Sequence, residues 1–317
     1  MANTGTDVAL AAQHLRGGKL VGIPTETVYG LAANALDELA VARIFEAKKR
    51  PAFDPLIVHI ADFAEVEKYC DRVPDLAYRL AERFCPGPLT FILPKNHRIP
   101  DLVSSGHPTV GIRVPNHPLS LALLRQLHFP LAAPSANPFG YVSPTTAQHV
   151  TNQLGEAVAY VLDGGPCAVG LESTIIDLSS PTPKVLRLGG LSIEALETAL
   201  GQKLEIQRSS SNPKAPGMLL KHYAPGVRML WEADAPALLP AKTACLRFSS
   251  PHPKLPLAQQ WILSAEGSLA QAASRLFAAL RDMDAAALDL ILVERFPEQG
   301  LGLAINDRLS RAVQSGK

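Results

Sequence analysis

The sequence has few cysteines and almost no net charge. Cys70, Cys85, Cys167 and Cys245 lie far apart and form neither a C-x-x-C pair nor another metal-ligand spacing, so no zinc site is predicted. We expect free thiols in a reducing compartment. The 30 Lys and Arg residues exceed the 29 Asp and Glu residues by one. Binding of nucleic acid through bulk positive charge is therefore not expected, although a local basic patch stays open.

Long apolar runs are also missing. No run approaches the roughly 18 residues of a membrane-spanning helix, and residues 1–20 lack the basic flank, apolar core and cleavage site of a signal peptide. We therefore expect a soluble, cytoplasmic protein that does not enter a membrane. With 47% hydrophobic and 19% charged residues, the 317-residue chain has enough apolar material for about two domains.

The common nucleotide-binding and hydrolase motifs are absent. The sequence contains no G-x-x-x-x-G-K-[ST] segment, no G-x-G-x-x-G after its first predicted strand, and no H-E-x-x-H, EF-hand or G-x-S-x-G motif. The lone Gly300-Leu301-Gly302 is interpreted as a turn. An enzyme with this sequence would bind phosphate through a less familiar site.

Residues 1–205 alternate between short strand patterns and helical patterns, which predicts an α/β fold with a mixed sheet. Residues 7–16, for example, have helical spacing, and residues 56–60 form an apolar strand pattern. Ser143 followed by Pro144 predicts the N-cap and first position of a helix.

The pattern changes at about residue 206. Residues 206–226 are rich in Ser, Pro, Lys and Gly, which indicates a linker. Alternation resumes over residues 227–317 and predicts a second, smaller α/β domain. The continuous apolar run 288–293 is typical of a strand that is buried on both faces of a parallel sheet.

The segment 24–30 (PTETVYG) follows a predicted strand directly. It places two threonine hydroxyls and a carboxylate at the carboxyl end of that strand, where ligands usually bind in open α/β sheets. The same segment is equally typical of a connection whose threonines bond the local backbone. Both interpretations stay open at this point.

Lys48 and Arg50 end a predicted helix just before Pro51. Cations at this place suit the negative end of a helix dipole, and proline stops the helix. The functional alternative is that both side chains neutralise phosphates, with arginine forming a two-pronged contact and lysine acting as a point charge.

Further polar residues lie on or just after predicted strands. His59 alternates into an apolar strand, which is more typical of a core histidine than of a ligand. Arg113 lies on a buried strand, so it requires either a protein carboxylate or an anionic substrate as partner. Ser135 and Asn137 follow a strand in a turn that presents polar groups. Thr25, His59, Arg113, Ser135, Asn137, Ser173 and Arg187 are together predicted to meet in one cleft for an anionic, hydroxyl-bearing ligand and phosphates.

Taken in order, seven segments resemble the YrdC-type family of L-threonylcarbamoyladenylate synthases. These segments are 22–31, 47–51, 54–60, 86–90, 111–115, 133–137 and 172–176. The resemblance covers about residues 5–200. Segments 216–218 and 221–225 resemble the linker of the longer, two-domain form, and segment 296–302 resembles its C-terminal domain. The resemblance implies a YrdC-like twisted mixed sheet (1–205), a linker that covers the active site (206–226) and a Rossmann-like C-terminal domain (227–317).

The resemblance also implies a reaction. The substrates are L-threonine, bicarbonate or CO2, and ATP, and the products are threonylcarbamoyl-AMP and pyrophosphate. This is the first step toward threonylcarbamoyl-adenosine in tRNA, so the implied partners are the downstream tRNA threonylcarbamoyl transferase machinery, with a weak tRNA contact left open. Mg2+ is expected to arrive with ATP and to be held mainly by phosphates and water, and no protein metal site is expected.

Residue roles follow from the same resemblance. The residues implied in catalysis are Lys48, Arg50, Ser135 and Asn137. The residues implied around L-threonine are Thr25, Thr27, His59, Arg113 and Ser173, with Arg113 on the carboxylate. The residues implied around ATP are Lys48, Arg50, Asp54, Thr109, Ser135, Ser143, Arg187 and Tyr223, with Tyr223 as a lid.

One departure from the family pattern concerns Asp54, where many relatives carry asparagine. A carboxylate beside phosphates would repel them, so Asp54 is expected to meet ribose, a metal or Arg50. Two other functions stay open: a carbamoyltransferase that uses carbamoyl phosphate, and an RNA-binding or ribosome-maturation module. The near-neutral charge and the lack of an aromatic-rich RNA-binding motif argue against the RNA-binding module.

Overall fold

The computed structural model describes residues 3–207, 214–216 and 223–315. Within these ranges the strands form one sheet of eleven strands and one sheet of four. The strands are β1 (Asn3–Gly5), β2 (Val21–Ile23), β3 (Gly30–Asn34), β4 (Ile57–His59), β5 (Leu89–Pro94), β6 (Thr109–Arg113), β7 (Leu131–Ala132), β8 (Tyr160–Leu162), β9 (Thr174–Asp177), β10 (Lys184–Arg187), β11 (Glu205–Ile206), β12 (Met229–Trp231), β13 (Thr243–Arg247), β14 (Gln260–Ile262) and β15 (Leu290–Val293).

Helices cover both sheets. They are α1 (Val8–Arg16), α2 (Glu38–Lys48), α3 (Asp75–Phe84), α4 (Asp101–Ser104), α5 (Pro118–Gln126), α6 (Ala147–Leu154), α7 (Ile193–Leu200), α8 (Leu269–Ala285) and α9 (Leu301–Ser315). Side chains cap several of them, because Asp7, Asp37, Ser192 and Ser268 each accept a backbone N–H of the first turn. In the part of the chain that the structure describes, no helix has both the length and the apolarity to cross a bilayer.

The large sheet is mixed, as the sequence predicts. Its strand order is β1-β8-β2-β3-β7-β4-β6-β5-β9-β10-β11. The central strands β4 and β6 are parallel, β5 is antiparallel to β6, and β9 is parallel to β5 but antiparallel to β10. The carboxyl ends of β4, β6 and β10 therefore lie at the same edge as the amino ends of β5 and β9.

The small sheet is parallel throughout and has the order β12-β15-β13-β14. Its central strand β15 is buried along its whole length, which confirms the prediction from the apolar run. We call β12–β15 with α8 and α9 the C-terminal unit. A single apolar cluster joins this unit to the large sheet, since it includes Leu171 and Leu188 together with Phe277 and Ile305.

The structure corrects two local predictions. Ser143 is not an N-cap: α6 begins at Ala147 with Thr146 as its cap, because the Ser143 hydroxyl bonds Glu172 and the Pro144 carbonyl accepts the Tyr29 N–H. The segment from Gly300 to Gly302 is more than a turn. Gly300 has a φ of +53°, and α9 starts directly after it.

Several elements have no counterpart among the predictions, namely β1, β3, β11, β14, α4 and α9. Of the predicted linker, residues 208–213 and 217–222 lie outside the described residues. They include Gly217, Met218, Lys221 and His222 of the family-like segments.

Candidate active site

A cavity lies where the large sheet, the linker and the loop after β7 meet. Its volume is about 40 Å3, which holds only a few water molecules. It is lined by Val28, Arg50, Ile57, His59, Arg113, Ala133, Pro134, Ser135, Glu172, Ser173, Arg187, Pro216 and Tyr223. Seven of the fourteen residues implied by the family resemblance therefore line this cavity: Arg50, His59, Arg113, Ser135, Ser173, Arg187 and Tyr223.

The mixed sheet explains why these residues converge. His59, Arg113 and Arg187 are the last residues of β4, β6 and β10, and Ser173 directly precedes β9. Because β9 is antiparallel to β10, its amino end lies at this same edge. A cluster of buried apolar residues extends from the site across four strands and includes one linker residue. Its members are Ile57 on β4, Ile92 on β5, Ile175 on β9, Leu186 on β10 and Ala215 in the linker.

Arg113 is held by a buried carboxylate. Its Nη2 lies 2.8 Å from Oε1 of Glu26, and both side chains are at least nine-tenths buried. The other oxygen of Glu26 accepts the backbone N–H of Asn116 at 3.0 Å. The Arg113 Nε donates weakly to Gly87 O at 3.4 Å, whereas Nη1 makes no hydrogen bond to any described residue. Arg113 lines the cavity, and a guanidinium nitrogen without a protein partner can bind an anion.

His59 is a neutral histidine. Burial, reinforced by the neighbouring Arg113, lowers its pKa to about 3, although the backbone carbonyls of Ile57 and Leu131 favour the charged form. Its Nδ1 lies 3.3 Å from the Ile57 carbonyl oxygen. A neutral imidazole beside an arginine offers a hydrogen bond without adding charge, which fits a residue that contacts a ligand and does not transfer protons near neutral pH.

The lowered pKa of His59 makes a prediction about stability. Between pH 6.5 and 3 the unfolded chain binds a proton on this ring that the folded chain does not bind, so stability falls as the pH falls. We expect acidification from pH 8 to pH 5 to cost the wild type about 2 kcal/mol more than His59→Gln. Urea denaturation at both pH values measures this difference. His97→Gln, at an exposed position, is the control, and equal losses in the wild type and His59→Gln would contradict the prediction.

Arg50 is paired with Asp54, the residue that departs from the family pattern. Arg50 Nη2 lies 2.9 Å from Asp54 Oδ2, and both side chains are buried. The same guanidinium donates to the carbonyls of Asp54 and Pro55 at 3.0 and 2.9 Å. Burial raises the pKa of the Asp54 carboxyl, and the charge of Arg50 opposes that rise. Of the three expected partners, the structure shows Arg50.

Lys48 lies behind the loop that follows β7. Its Nζ donates to the backbone carbonyls of Ser135 and Asn137, so two of its three donors hold this loop. Burial, followed by repulsion from Arg50, lowers the pKa of Lys48. Asn137 fixes the loop further by donating to Pro138 O and Tyr141 O at 2.8 and 2.9 Å. Lys48 is thus one layer removed from the cavity, and Ser135 forms the wall.

Arg187 connects β10, the start of β9 and the linker. Its Nε and Nη2 donate to the carbonyl and hydroxyl of Ser173 at 3.0 and 3.1 Å, and Nη1 donates to Pro216 O at 3.1 Å. Tyr223 covers the same side of the cavity. Its buried ring stacks on Phe277 with a centroid distance of 5.8 Å, and its φ of +63° places it in the left-handed region.

The remaining predicted residues do not line the cavity. Thr25 closes a local turn: its Oγ1 donates to Val28 O at 2.6 Å and lies 2.8 Å from the Thr27 hydroxyl. This is the local backbone role that the sequence left open. Thr109 is at the other end of β6 from Arg113, and its buried hydroxyl has no hydrogen-bond partner among the described residues. The Ser143 hydroxyl donates to Glu172 Oε1 at 2.5 Å.

Sequence reasoning missed three residues of this region: Glu172 and Arg308, and the pairing role of Glu26. The signals were a carboxylate inside the 24–30 segment, a carboxylate directly before Ser173, and an arginine, Arg308, within the apolar spacing of residues 301–313. None of these names a partner, because each partner lies more than eighty residues away.

This chain is similar in sequence to known protein families and to individual curated proteins. A family model described as "Telomere recombination", for Sua5, YciO and YrdC proteins, matches residues 13–189. A curated threonylcarbamoyl-AMP synthase from Pyrococcus abyssi is 42% identical over 96% of this chain and 93% of that protein. The chain belongs to the threonylcarbamoyl-AMP synthase family.

Other relatives agree over the full length. The family model "Threonylcarbamoyl-AMP synthase, C-terminal domain" matches residues 191–313. The Bacillus subtilis threonylcarbamoyl-AMP synthase is 38% identical over 96% of this chain and 92% of that protein. The crystal structure of P. abyssi Sua5 complexed with L-threonine has a TM-score of 0.91 at 38% identity and covers all of this chain and 98% of that one. The predicted family and the predicted fold class are therefore confirmed.

Proposed function

We propose that this chain condenses L-threonine, bicarbonate and ATP to L-threonylcarbamoyl-AMP, with release of pyrophosphate. The observation that carries the proposal is the placing of Arg113 and Arg50 in one cavity, each held by its own buried carboxylate. One guanidinium suits the carboxylate of an amino acid, and the other suits the phosphates of a nucleotide. The relatives that match 96% of this chain are named threonylcarbamoyl-AMP synthase, which describes this reaction.

The chemistry has two bond-forming steps. The amine of L-threonine forms an N–C bond to the one-carbon unit, and water is lost when that unit is bicarbonate. An oxygen of the resulting carbamate then attacks the α-phosphorus of ATP, and the bond to pyrophosphate breaks. Neither step needs a protein nucleophile. The cavity contributes alignment of three reactants and neutralisation of the charge that develops on the phosphates.

Each wall is proposed to serve one reactant. Arg113 Nη1 binds the carboxylate of L-threonine, with His59 and Ser173 beside it. Arg50 and Arg187 bind the phosphates, and Ser135 extends that wall because Lys48 holds its loop in place. The cavity of about 40 Å3 is too small for a nucleotide. The linker at Pro216 and Tyr223 therefore moves aside to admit ATP and then covers it, which limits access of water to the reactive anhydride.

Mg2+ is proposed to enter with ATP. No three His, Cys, Asp or Glu side chains gather around a metal-sized space within residues 3–207, 214–216 and 223–315. Asp54 is a buried carboxylate near the proposed phosphates, and Arg50 already neutralises it. The residues present thus fit an ion held by phosphate oxygens and water, where it would reduce the charge on the phosphates.

Discrimination between L-threonine and L-serine is expected to be modest. The two differ by one methyl group, which in an apolar pocket contributes about 1–3 kcal/mol. Val28 and Ala133 are apolar wall residues available for that methyl. We expect kcat/KM for L-serine to be about 10- to 200-fold lower than for L-threonine. A competition assay that shows serine excluded by several orders of magnitude would contradict this expectation.

The proposed function is tested by pyrophosphate release from ATP. We expect release that requires both L-threonine and bicarbonate. Release with carbamoyl phosphate instead of bicarbonate and ATP would favour the carbamoyltransferase alternative. RNA binding without any pyrophosphate release would favour the RNA-binding module. We propose further that the product passes to a downstream transferase that modifies tRNA, because a mixed anhydride of this kind is an activated donor.

A further inference from the structure

Arg308 is a fully buried arginine in the C-terminal unit. It lies on α9 among the buried apolar residues Ile305, Leu309 and Ala312, and its side chain has no exposed surface. A buried guanidinium is unfavourable unless its charge and its donors are satisfied. The contacts of Arg308 therefore show which parts of the chain its guanidinium connects.

These contacts join three parts of the chain. Nε lies 2.9 Å from Glu172 Oε2, and Nη2 donates to Leu188 O at 2.8 Å, both on the large-sheet side. The guanidinium carbon lies 4.9 Å from the ring centroid of Tyr223 in the linker. Nη1 donates to Asp307 at 2.8 Å on α9 itself. Only a planar group with several donors makes these contacts at once, so lysine cannot replace it fully.

Glu172 connects Arg308 to the cavity. It is a wall residue, and its Oε1 accepts the Ser143 hydroxyl at 2.5 Å while Oε2 faces Arg308. Burial alone would raise the pKa of Glu172, but Arg308 and Arg187, together with the Ser143 hydrogen bond, lower it. The carboxylate therefore stays ionised. The Ser143 proton is committed to it, which leaves the Ser143 oxygen as an acceptor only.

We propose that Arg308 is a positioning residue for the nucleotide half of the site. From the C-terminal unit it fixes the carboxylate of Glu172, and through it Ser143, and it supports the ring of Tyr223 that covers the cavity. The C-terminal unit is thus part of the active site as well as the attachment of the linker. This inference rests on the proposed function, in which Tyr223 covers ATP. Ser143 is among the residues that the family resemblance implies around ATP.

The test is a double-mutant cycle between Arg308 and Glu172 in the full-length chain. Calorimetry measures the affinity for a non-hydrolysable ATP analogue and, separately, for L-threonine. We expect Arg308→Met to weaken binding of the analogue at least tenfold and binding of L-threonine less than threefold. Arg308→Lys, which keeps the charge and loses the planar contacts, is expected to weaken the analogue three- to tenfold.

Glu172→Gln completes the cycle. If Arg308 acts through Glu172, the double variant Arg308→Met/Glu172→Gln binds the analogue within twofold of Arg308→Met, because the two effects are not additive. Additive effects would overturn the proposal. Arg308→Lys and Glu172→Gln carry the test if the methionine variant does not fold.

Arg247→Met is the matched control. Arg247 belongs to the small sheet and pairs with Glu232 and Glu294 inside the C-terminal unit. We expect it to lower the melting temperature and leave the affinity for the analogue unchanged. A folded Arg308→Met or Arg308→Lys with wild-type affinity, or an Arg247→Met that weakens the analogue equally, would overturn the role of Arg308. Failure of the proposed function is recognised separately, as wild-type protein without threonine-dependent pyrophosphate release.

Discussion

Arg113→Met is expected to lower kcat/KM for L-threonine by about 10²- to 10⁴-fold. Removing one partner of a buried charge pair typically costs about 3–5 kcal/mol, and here Arg113 is removed and the proposed substrate carboxylate loses its cation. Glu26, left unpaired beside the site, would also repel that carboxylate. The measurement is steady-state pyrophosphate release at varied L-threonine, together with calorimetric binding of L-threonine.

Two comparisons make the Arg113 prediction specific. Arg113→Lys keeps the charge and is expected to lose less activity than Arg113→Met. Affinity for a non-hydrolysable ATP analogue is expected to stay within threefold of wild type in both variants. If Arg113→Met binds L-threonine normally and loses the nucleotide instead, the assignment of Arg113 is wrong.

Arg50→Met is expected to reduce kcat by about 10²- to 10³-fold, the size of effect seen when one preorganised donor to a developing negative charge is removed. Arg50 lies in the cavity wall and is held by Asp54 and two backbone carbonyls, so its guanidinium needs little reorganisation when charge builds up on the phosphates. Single-turnover pyrophosphate release with saturating substrates measures this effect on the chemical step.

The double variant Arg50→Met/Asp54→Asn separates catalysis from stability. Arg50→Met leaves the Asp54 carboxyl buried without its partner, which destabilises the fold. Replacing that carboxyl by an amide is expected to restore part of the melting temperature and none of the activity. Activity that returns with stability would show that Arg50 has a structural role only.

The sequence was sufficient for the elements that carry strong local signals. The helix α1, which is capped by the Asp7 side chain, begins within one residue of the predicted position. The apolar strand β4 and the buried run of β15 were equally clear. In each case the periodicity or the cap is contained within a few adjacent residues, so no knowledge of distant partners is needed.

Prediction failed where the deciding interaction is distant or where the residues are small. The strand β3 has the sequence GLAAN and contains no β-branched or aromatic residue, so its pairing with β2 and β7 defines it. Ser143 resembles an N-cap locally, but Glu172 takes its hydroxyl. The helix α9 was not predicted because Gly300-Leu301-Gly302 was interpreted as a turn. Gly302 is required there because a Cβ would lie 2.0 Å from the Pro297 carbonyl oxygen.

In the candidate site, too, the local requirements could be predicted and the distant partners could not. That Arg113 needs a carboxylate followed from its place on a buried strand, but Glu26 as that carboxylate did not, since 87 residues separate the two. The rule that ligands bind at the carboxyl ends of parallel strands applies to β4 and β6. Ser173 reaches the same edge only because the sheet is mixed, which a residue pattern alone does not specify.

The most direct test is a crystal structure of this chain with L-threonine and a non-hydrolysable ATP analogue. We expect the threonine carboxylate to bind Arg113 and the phosphates to bind Arg50 and Arg187. We expect the distance between the amino nitrogen and the α-phosphorus to be short enough for a single carboxyl group to bridge the two atoms. Ligands bound on separate surfaces, or an amino nitrogen turned away from the α-phosphorus, would contradict the account.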